Sequence, residues 1–152
     1  MGIAIVEAGG EVDFRGMLDF ILAEWPPQFG DVPNERKVEE FEKSADAAYD
    51  VNKFLVADGA RVGWYRYSRW PRDPANLRDA HTLDIAVLQD RRGRGYGKLL
   101  MEDLIADCRR RGYKNLKSRT FFDNAVSIAL HKSAGFREAF RTEDSIVWEI
   151  DL

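Results

Sequence analysis

A glycine-rich segment, Arg92-Gly93-Arg94-Gly95-Tyr96-Gly97, lies between two apolar runs of different character. The run before it, Leu83 to Leu88, predicts a strand, and the amphipathic run that starts at Lys98 predicts a helix. A helix start offers unpaired backbone N–H groups and the positive end of the helix dipole, and glycines allow a ligand to approach the backbone closely. The segment therefore predicts an anion-binding site, most often one for phosphate.

Two common phosphate-binding motifs do not fit the spacing of this segment. A P-loop requires a glycine, four residues and then Gly-Lys-Ser/Thr, but Arg92 stands at the first glycine position and Leu99 replaces the hydroxyl residue. The dinucleotide fingerprint G-x-G-x-x-G opens a βαβ unit, whereas these glycines alternate and lie past the middle of the chain. A glycine-rich turn without a ligand stays an alternative.

Length, charge and cysteine content limit the class of protein. The chain has 152 residues, a net charge of −3 and one cysteine. These values favour one globular domain over residues 1–152 and argue against general nucleic-acid binding, an internal disulfide or a cysteine-rich metal site. No apolar run is long enough for a membrane helix and the N-terminus does not resemble a signal peptide, so we expect a cytoplasmic protein. Cys108 falls on the apolar face of a predicted helix and is expected in the core.

Charge is divided unevenly along the chain. Residues 1–60 hold 13 acidic and 5 basic side chains, a net charge of −8, whereas residues 61–152 hold 13 acidic and 18 basic side chains, a net charge of +5. A basic half suits a phosphate-rich ligand and an acidic half suits a cationic one, although ordinary surface solvation explains the asymmetry equally well.

Periodicity along the chain predicts the element order β-α-α-β-β-β-α-β-α-β-β. The predicted helices run from Val12 to Trp25, from a cap at Asn34 to about Tyr49, from Lys98 to the basic stretch before Gly112, and from Asp123 or Asn124 to about Ser133. This order predicts a mixed α/β sheet flanked by helices.

At two places the sequence resembles the GNAT superfamily of acyl-CoA-dependent N-acetyltransferases. Arg92-x-x-Gly95-x-Gly97 fits the family's glycine-turn pattern, and the residues from Asn124 to Gly135-Phe136 fit its downstream pattern of an asparagine, small residues and a closing Gly-Phe. The resemblance implies the GNAT fold, acetyl-CoA as the acyl donor, no metal, and direct transfer of acetyl to a primary amine. The strand Ile85-Ala86-Val87 is most similar to that of the bacterial ribosomal-protein N-terminal acetyltransferases, in the cofactor half only.

The resemblance also implies roles for particular residues. The backbone N–H groups of residues 92–97 would hold the coenzyme A pyrophosphate, and the side chains of Arg92, Arg94 and Lys98 would add positive charge. The backbone of the strand Ile85-Ala86-Val87 would bind the pantetheine arm and polarise the thioester carbonyl. Asn124 would reach the pantetheine, or would only cap its own helix. The residues assigned to acetyl-CoA are thus Ile85, Ala86, Val87, Arg92, Gly93, Arg94, Gly95, Tyr96, Gly97, Lys98 and Asn124.

The chain departs from the family pattern at the proton-transfer positions. His131 stands where the family commonly has a tyrosine that protonates the leaving thiolate. An imidazolium could donate that proton. Alternatively, His131 could only contact the sulfur, or could have neither role. Arg119 stands where the ribosomal-protein branch has a glutamate base and cannot act as one. His81 is the alternative base, while Asp84 on the same strand is expected to face the other way. The predicted catalytic residues are therefore His131 and His81.

Two classes of function follow, and a third is weaker. The leading one is an N-acetyltransferase acting on a small amine or on the N-terminus or a lysine of a protein, with the acceptor site walled by the Trp25–Gly30 loop, the second helix and the segment around Trp70. Trp25, Phe29, Tyr65, Tyr67 and Trp70 are candidate lining residues, about half of them expected in the core instead. The alternative is a catalytically weak coenzyme A-binding module, and a nucleotide-binding domain is the third. A homodimer is implied by the resemblance alone.

Overall fold

The protein, described by a computed structural model over residues 2–9, 11–25 and 29–152, contains one seven-stranded mixed sheet in the order β1-β2-β3-β4-β5-β7-β6. The β4–β5 pair is parallel and the other neighbouring pairs are antiparallel. The strands are β1 (Ile3–Glu7), β2 (Asp50–Ala57), β3 (Ala60–Arg69), β4 (Asp79–Val87), β5 (Asn115–Phe121), β6 (Arg137–Arg141) and β7 (Ser145–Asp151).

Helices cover both faces of this sheet, and the predicted order of helices and strands is confirmed. Buried side chains of β3 and β5 pack against α3 and α4 on one side, which we call the α3 face, while Trp64 and Ala86 pack against α1 and α2 on the other, the α1 face. The helices are α1 (Leu18–Glu24), α2 (Asn34–Ser44), α3 (Tyr96–Arg110) and α4 (Ala125–Ser133).

Helix boundaries differ from the sequence-based expectation in α1, α2 and α3, where α3 starts at Tyr96 and not at Lys98. The α2 helix ends at Ser44 and not near Tyr49, because Asp46 and Asp50 accept backbone N–H groups in the turn that follows and stabilise it. Its N-cap is Pro33, with no capping side chain, so the expected Asn34 cap is wrong. The α1 helix is preceded by a short 3₁₀ turn over residues 15–17, where the Asp13 carboxylate accepts the N–H of Gly16, and does not start at Val12.

Strand β4 pairs unevenly with its two neighbours. With β5 it pairs at only three positions, the last being His81 opposite Lys117. Beyond this point the two parallel strands separate, and we call the opening between them the splay. With β3 the register shifts: Arg66 lies opposite Asp84 and Tyr67 lies opposite Thr82, so Leu83 is an extra residue with no partner. This β-bulge re-aims the side chains that follow it.

The bulge corrects the expectation that His81 and Asp84 face opposite sides. His81 lies opposite Ser68 and Asp84 lies opposite Arg66, and residues directly opposite in an antiparallel pair share a face. Ser68 and Arg66 are two apart on β3 and therefore point the same way. His81 and Asp84 consequently both face α1.

A buried carboxylate, Asp107, fixes α3 to the sheet. It accepts hydrogen bonds from Lys53 and Tyr67 of the strands and from Arg110 and Arg111 of its own helix. Burial alone would raise the pKa of Asp107, but these hydrogen bonds outweigh it and lower the pKa to about 2. Since burying Lys53 without this partner would be costly, Asp107 supports the α3 face as a whole.

We expect Asp107→Ala to lower the free energy of unfolding by about 3 kcal/mol, because it leaves the buried Lys53 ammonium with only the longer contact to Asp103, at 3.6 Å. The exposed Glu102→Ala on the same helix should change it by less than about 0.5 kcal/mol. The folded pKa of Asp107 lies below the unfolded value, so its contribution is present above about pH 4 and lost as the pH falls towards 2. Urea unfolding at pH 7 and pH 3 measures both effects; equal losses for the two variants at pH 7 would contradict this role.

Candidate active site at the splay of β4 and β5

The glycine-rich segment forms an uncapped helix start next to the splay. Gly93 and Gly95 have φ angles of +78° and +82°, and Gly95 is the N-cap of α3 without a capping side chain. The first helical hydrogen bond runs from the Leu99 N–H to the Gly95 carbonyl, so the N–H groups of the first turn point out of the helix start unpaired. The fifteen-residue helix behind them supplies the dipole that an anion site needs.

The side chains around this helix start take different directions. Arg92 turns back towards the splay, where its Nε donates to the Val87 carbonyl at 3.1 Å and its Nη2 donates to the Ala23 carbonyl at 3.3 Å. Arg94 and Lys98 are exposed beside the helix start. Tyr96 is buried in the α3-face core, so only its backbone can contact a ligand. A Cβ at Gly97 would lie 3.8 Å from Leu130, which shows how closely α3 approaches α4 here.

Two residues of β4 direct their backbone groups into the splay. The Leu88 N–H donates to the Val62 carbonyl on the β3 side, and alternation along the strand therefore pairs Ala86 with β3. The backbone groups of Ile85 and Val87 then point away from β3, as the Arg92 bond to the Val87 carbonyl confirms. Of the three residues predicted to bind the pantetheine arm by their backbone, the geometry presents Ile85 and Val87, whereas Ala86 packs its side chain against α1.

Thr82 was missed by the sequence analysis. It is the first β4 residue beyond the pairing with β5, it is buried, and its Oγ1 has no hydrogen-bond partner within the described residues. A buried hydroxyl without a partner is costly and often marks a place where a ligand or water binds. Nothing in the residue pattern around Thr82 signals this position, because it depends on where the two strands separate.

His81 lies at the last paired position before the splay. Its Nδ1 is 2.7 Å from the Thr82 carbonyl oxygen, and because a carbonyl can only accept, Nδ1 carries the proton and Nε2 is free to accept one. The ring packs edge-on against Trp70, with centroids 6.3 Å apart. Burial lowers the pKa of His81, and the positive charges of Lys117 and Arg119 lower it further.

His131 is buried between α4 and the sheet, with 1% of its surface exposed. Its Nδ1 donates to the Ser127 carbonyl at 2.7 Å, and its Nε2 lies 2.7 Å from the hydroxyl of Ser118 on β5. The ring stacks on Trp148 with centroids 5.9 Å apart. Burial lowers the pKa of His131, so the neutral ring, accepting from Ser118, is the favoured form near pH 7. The predicted role as an acid stays a prediction, and this environment does not favour an imidazolium.

Asn124 and Arg119 are both engaged within the protein. The Asn124 side chain accepts the Ser127 N–H at 3.1 Å and caps α4, which leaves its amide nitrogen for a ligand. Arg119 donates from Nε to Ser145 at 2.7 Å and pairs through Nη2 with Asp144 at 3.0 Å. Asp144 thus holds the guanidinium at the β7 side of the splay.

The α1 face carries two carboxylates beside the splay. Asp84 is buried and accepts from Nε of Arg66 at 2.6 Å. Glu24, the last residue of α1, is partly buried. Burial and the negative charge of Asp84 raise the pKa of Glu24 well above its ordinary value, against the opposing effects of the Ile85 N–H, Arg92 and Arg66. The sequence analysis overlooked Glu24, whose only signal is its place at a helix end.

Aromatic residues proposed for the acceptor site divide between the two faces. Tyr65 and Tyr67 are fully buried on the α3 face, where their hydroxyls donate to Asp103 and Asp107, so they are core residues. The other three lie on the α1 side: Phe29 contacts both Trp25 and Phe121 of β5, at centroid distances of 6.1 and 5.7 Å, and Trp70 packs on His81. Residues 26–28 of the predicted Trp25–Gly30 wall lie outside the described residues.

A cavity of about 550 Å³ lies elsewhere, lined by residues of the N-terminal third of the chain and none from β4, β5 or α3. Its walls carry the carboxylates of Glu7, Glu11, Asp13, Glu42 and Asp50. Much of the negative charge of residues 1–60 therefore surrounds this cavity and not the splay. Over the described residues there is no group of three or more His, Cys, Asp or Glu side chains arranged to hold a metal. None of the helices there combines the length and the apolar composition that crossing a membrane requires.

We expect the two histidines, the only ones in the chain, to show the same tautomer and to stay neutral at pH 6.5. The carbonyl partners fix the proton on Nδ1, and burial lowers both pKa values below the ordinary 6.5. Long-range ¹H–¹⁵N spectra across a pH titration measure tautomer and pKa directly, and His81→Gln assigns the two rings. A His131 ring that titrates at or above pH 6.5 would restore it as an acid.

Comparison with known proteins agrees with this geometry. The sequence model of the Acetyltransferase (GNAT) family matches residues 14–136. The [Ribosomal protein bS18]-alanine N-acetyltransferase of Salmonella typhimurium is 41% identical over 63 residues, which are 41% of this chain and 43% of that protein. An L-methionine sulfoximine/L-methionine sulfone acetyltransferase of Pseudomonas paraeruginosa is 30% identical over 96 residues, 63% of this chain and 55% of that protein. The chain thus spans only about half the length of these curated relatives.

Solved structures show the same fold. The Escherichia coli ribosomal-protein-S18-alanine N-acetyltransferase superposes with a TM-score of 0.75 at 22% identity, covering 99% of this chain and 94% of that one. A GNAT family acetyltransferase of Elizabethkingia anophelis with acetyl-CoA bound superposes with a TM-score of 0.71 at 18% identity, covering 99% and 98%. With a family match over most of its length and this fold, the chain belongs to the acetyltransferase (GNAT) family.

Proposed function

We propose that the protein is an N-acetyltransferase that transfers the acetyl group of acetyl-CoA to a primary amine. The observation that carries this proposal is the juxtaposition on one strand: β4 leaves the backbone of Ile85 and Val87 without a partner strand on the splay side and then leads into the uncapped start of α3. An extended chain with an amide-bearing arm and a pyrophosphate at its end matches both features. Family membership and the acetyl-CoA-bound neighbour support the same donor.

We assign the donor-binding residues the roles expected from the sequence, except that Arg92 organises the entrance to the site. The N–H groups of residues 92–97 hold the pyrophosphate, with Arg94 and Lys98 adding charge, while Arg92 organises the entrance by tying β4 to the end of α1. Ile85 and Val87 bind the pantetheine arm by their backbone. Thr82 and the free amide of Asn124 add hydrogen bonds from the α3 face.

The acetyl group moves directly from the thioester to the amine. The one thiol of the chain, Cys108, is fully buried on the α3 face, and burial raises its pKa to about 12, so it is no nucleophile. Acetyl-CoA supplies the activated carbonyl. The protein orients it, excludes water and supplies the N–H group of Val87 or Ile85 to the developing negative charge.

Proton transfer has two predicted participants. His81 presents an unprotonated Nε2 at the narrow end of the splay and is proposed as an acceptor of the amine proton. His131 is buried behind Ser118, so its proposed contribution to the leaving thiolate would have to pass through that hydroxyl. A coenzyme A thiolate takes a proton readily from water, so neither role demands a strong acid.

The amine acceptor enters from the α1 face. Phe29, Phe121 and Trp70 give this side an apolar, partly exposed lining, which suits either a small amine or the end of a polypeptide. The two curated relatives act on an alanine of a ribosomal protein and on methionine sulfoximine, and both kinds of acceptor belong in the test. We further propose one domain over residues 1–152, a cytoplasmic location in keeping with the single buried cysteine, and a homodimer on family resemblance.

Replacing Gly95 tests the donor site against a matched control. Gly95→Ala and Gly59→Ala introduce a side chain at nearly equal φ angles, +82° and +81°, with open space around both. Each should cost about 1–2 kcal/mol of stability from left-handed backbone strain. Only Gly95→Ala should weaken acetyl-CoA binding, roughly tenfold or more, because it displaces N–H groups at the helix start.

Calorimetric titration with acetyl-CoA, and with ATP and NAD as controls, measures this difference. Wild-type protein that binds acetyl-CoA should then acetylate at least one member of a panel of amino acids, polyamines and peptides with free N-termini. No binding of acetyl-CoA would contradict the proposal. Tight binding with no acetylation would favour the alternative of a coenzyme A-binding module, which His131 at the tyrosine position and Arg119 at the glutamate position of the ribosomal-protein branch leave open.

A further inference from the structure

Arg119 is a charged side chain of β5 that lies beside the splay on the α1 face. Lys117 pairs with His81 at the last paired position, so the two side chains share the α1 face. Arg119 follows two residues later, where β4 and β5 have already separated, and alternation along the strand points it to the same face. A guanidinium therefore stands on the side from which the proposed function brings the amine acceptor.

Three contacts hold the Arg119 guanidinium in place. Its Nε donates to the hydroxyl of Ser145 at 2.7 Å, its Nη2 pairs with Asp144 at 3.0 Å, and its central carbon lies 5.2 Å from the centre of the Phe121 ring. Its Nη1 takes part in no hydrogen bond or ion pair among the residues that the structure describes. A guanidinium that is fixed on two sides and keeps N–H groups free is preorganised to bind a carboxylate.

The neighbouring cation, Lys117, is directed elsewhere. Its Nζ donates to the side-chain oxygen of Asn115 at 3.2 Å, towards the beginning of β5 and away from the splay. Glu149 lies opposite Lys117 on β7, and it pairs with Arg137 at 3.2 Å. The two cations of β5 thus share one face of the sheet, but only Arg119 lies alongside the opening.

Aromatic side chains flank Arg119 and His81 on this face. Phe29, which is 53% exposed, packs edge-on against Phe121 with ring centroids 5.7 Å apart. Trp70, which is 49% exposed, packs against the ring of His81. Binding sites for small molecules combine such an apolar lining with a few fixed polar groups. The polar groups here are a guanidinium and a neutral imidazole whose Nε2 can accept a hydrogen bond.

We propose that the amine acceptor is an α-amino acid with an apolar side chain and a free carboxylate, an assignment that rests on the proposed function. The carboxylate binds Nη1 of Arg119, and the ammonium donates to Nε2 of His81. The apolar side chain contacts the exposed aromatic rings. An α-amino acid carries its ammonium and its carboxylate on one carbon, which matches two binding groups at successive same-face positions on adjacent strands.

The reaction then converts a zwitterion into an anion. The ammonium gives one proton to Nε2 of His81, and the nitrogen forms the C–N bond at the thioester carbonyl as the C–S bond breaks. The second nitrogen proton goes to the departing thiolate, and His81 releases its proton to solvent. The products are the N-acetyl amino acid, free coenzyme A and one proton. Because the carboxylate is kept, Arg119 binds the product as well as the substrate.

The kinetic test compares L-leucine and L-phenylalanine with their primary amides, which have nearly the same shape but lack the carboxylate charge. Without that charge the ammonium loses its proton more readily, so a preference for the free acid reports recognition and not reactivity. Wild-type protein should use the acids with a kcat/KM at least roughly tenfold above that for the amides. Arg119→Gln should remove this preference by raising KM for the acids roughly tenfold or more, while its kcat/KM for the amides stays within about threefold.

Two further variants separate a specific contact from general charge. Lys117→Gln removes the same charge from the same face and should keep the preference within about threefold of wild type. Arg119→Lys retains the charge without the planar fork and should recover part of the preference. A wild-type preference for amides, polyamines or peptide N-termini over the free acids would overturn the assignment, as would a preference for the acids that persists in Arg119→Gln.

Product binding provides a readout that does not require turnover. N-acetyl-L-leucine titrated calorimetrically into protein saturated with coenzyme A should bind, and Arg119→Gln should weaken this binding roughly tenfold or more. No binding to wild type, or equal binding to the variant, would count against the assignment. Wild-type protein that acetylates no amine would contradict the proposed function instead, so the two failures are distinguishable.

Discussion

The incomplete pairing of β4 is the constraint on which the site depends. Three positions of hydrogen bonding to β5 hold the parallel strands together at one end, and past His81 they separate. Backbone groups in the interior of a sheet are normally all paired, because an unpaired buried N–H or C=O is costly. The protein meets part of this cost with its own side chain, since Arg92 donates to the Val87 carbonyl. A ligand that pairs with the strand edge replaces this contact.

The bulge at Leu83 determines which side chains surround the splay. Without the extra residue, alternation would place His81 and Asp84 on opposite faces of the sheet. With it, both face α1, so an imidazole, a buried ion pair and the end of a helix surround one opening. The α3 face, by contrast, is fixed by apolar packing and by the Asp107 cluster, and Tyr65, Tyr67, Cys108 and His131 are all buried there. The α3 face thus supports the sheet, whereas the α1 face carries the side chains that surround the opening.

How far the sequence predicts this structure depends on whether a feature is local. The glycine turn that leads into a helix, the Asn124 cap and the burial of Cys108 follow from residue type and periodicity, and the structure confirms each. The bulge and the unpaired hydroxyl of Thr82 depend on strand register, which no short segment specifies. His131 illustrates the same limit: its position in the motif suggested an acid or a contact to the sulfur, and nothing there showed that Ser118 and Trp148, distant in sequence, enclose it.

The central claim is that the open edge of β4 and the start of α3 together bind the acyl donor. Amide hydrogen exchange followed by NMR, with and without saturating acetyl-CoA, tests it residue by residue. We expect the amide hydrogens of Val87, Tyr96 and Gly97 to exchange more slowly when acetyl-CoA is bound. The amide of Ala86, already paired with β3, should be protected with and without acetyl-CoA. Protection that appears around the acid-lined cavity and leaves Val87 and the α3 start unchanged would contradict the account.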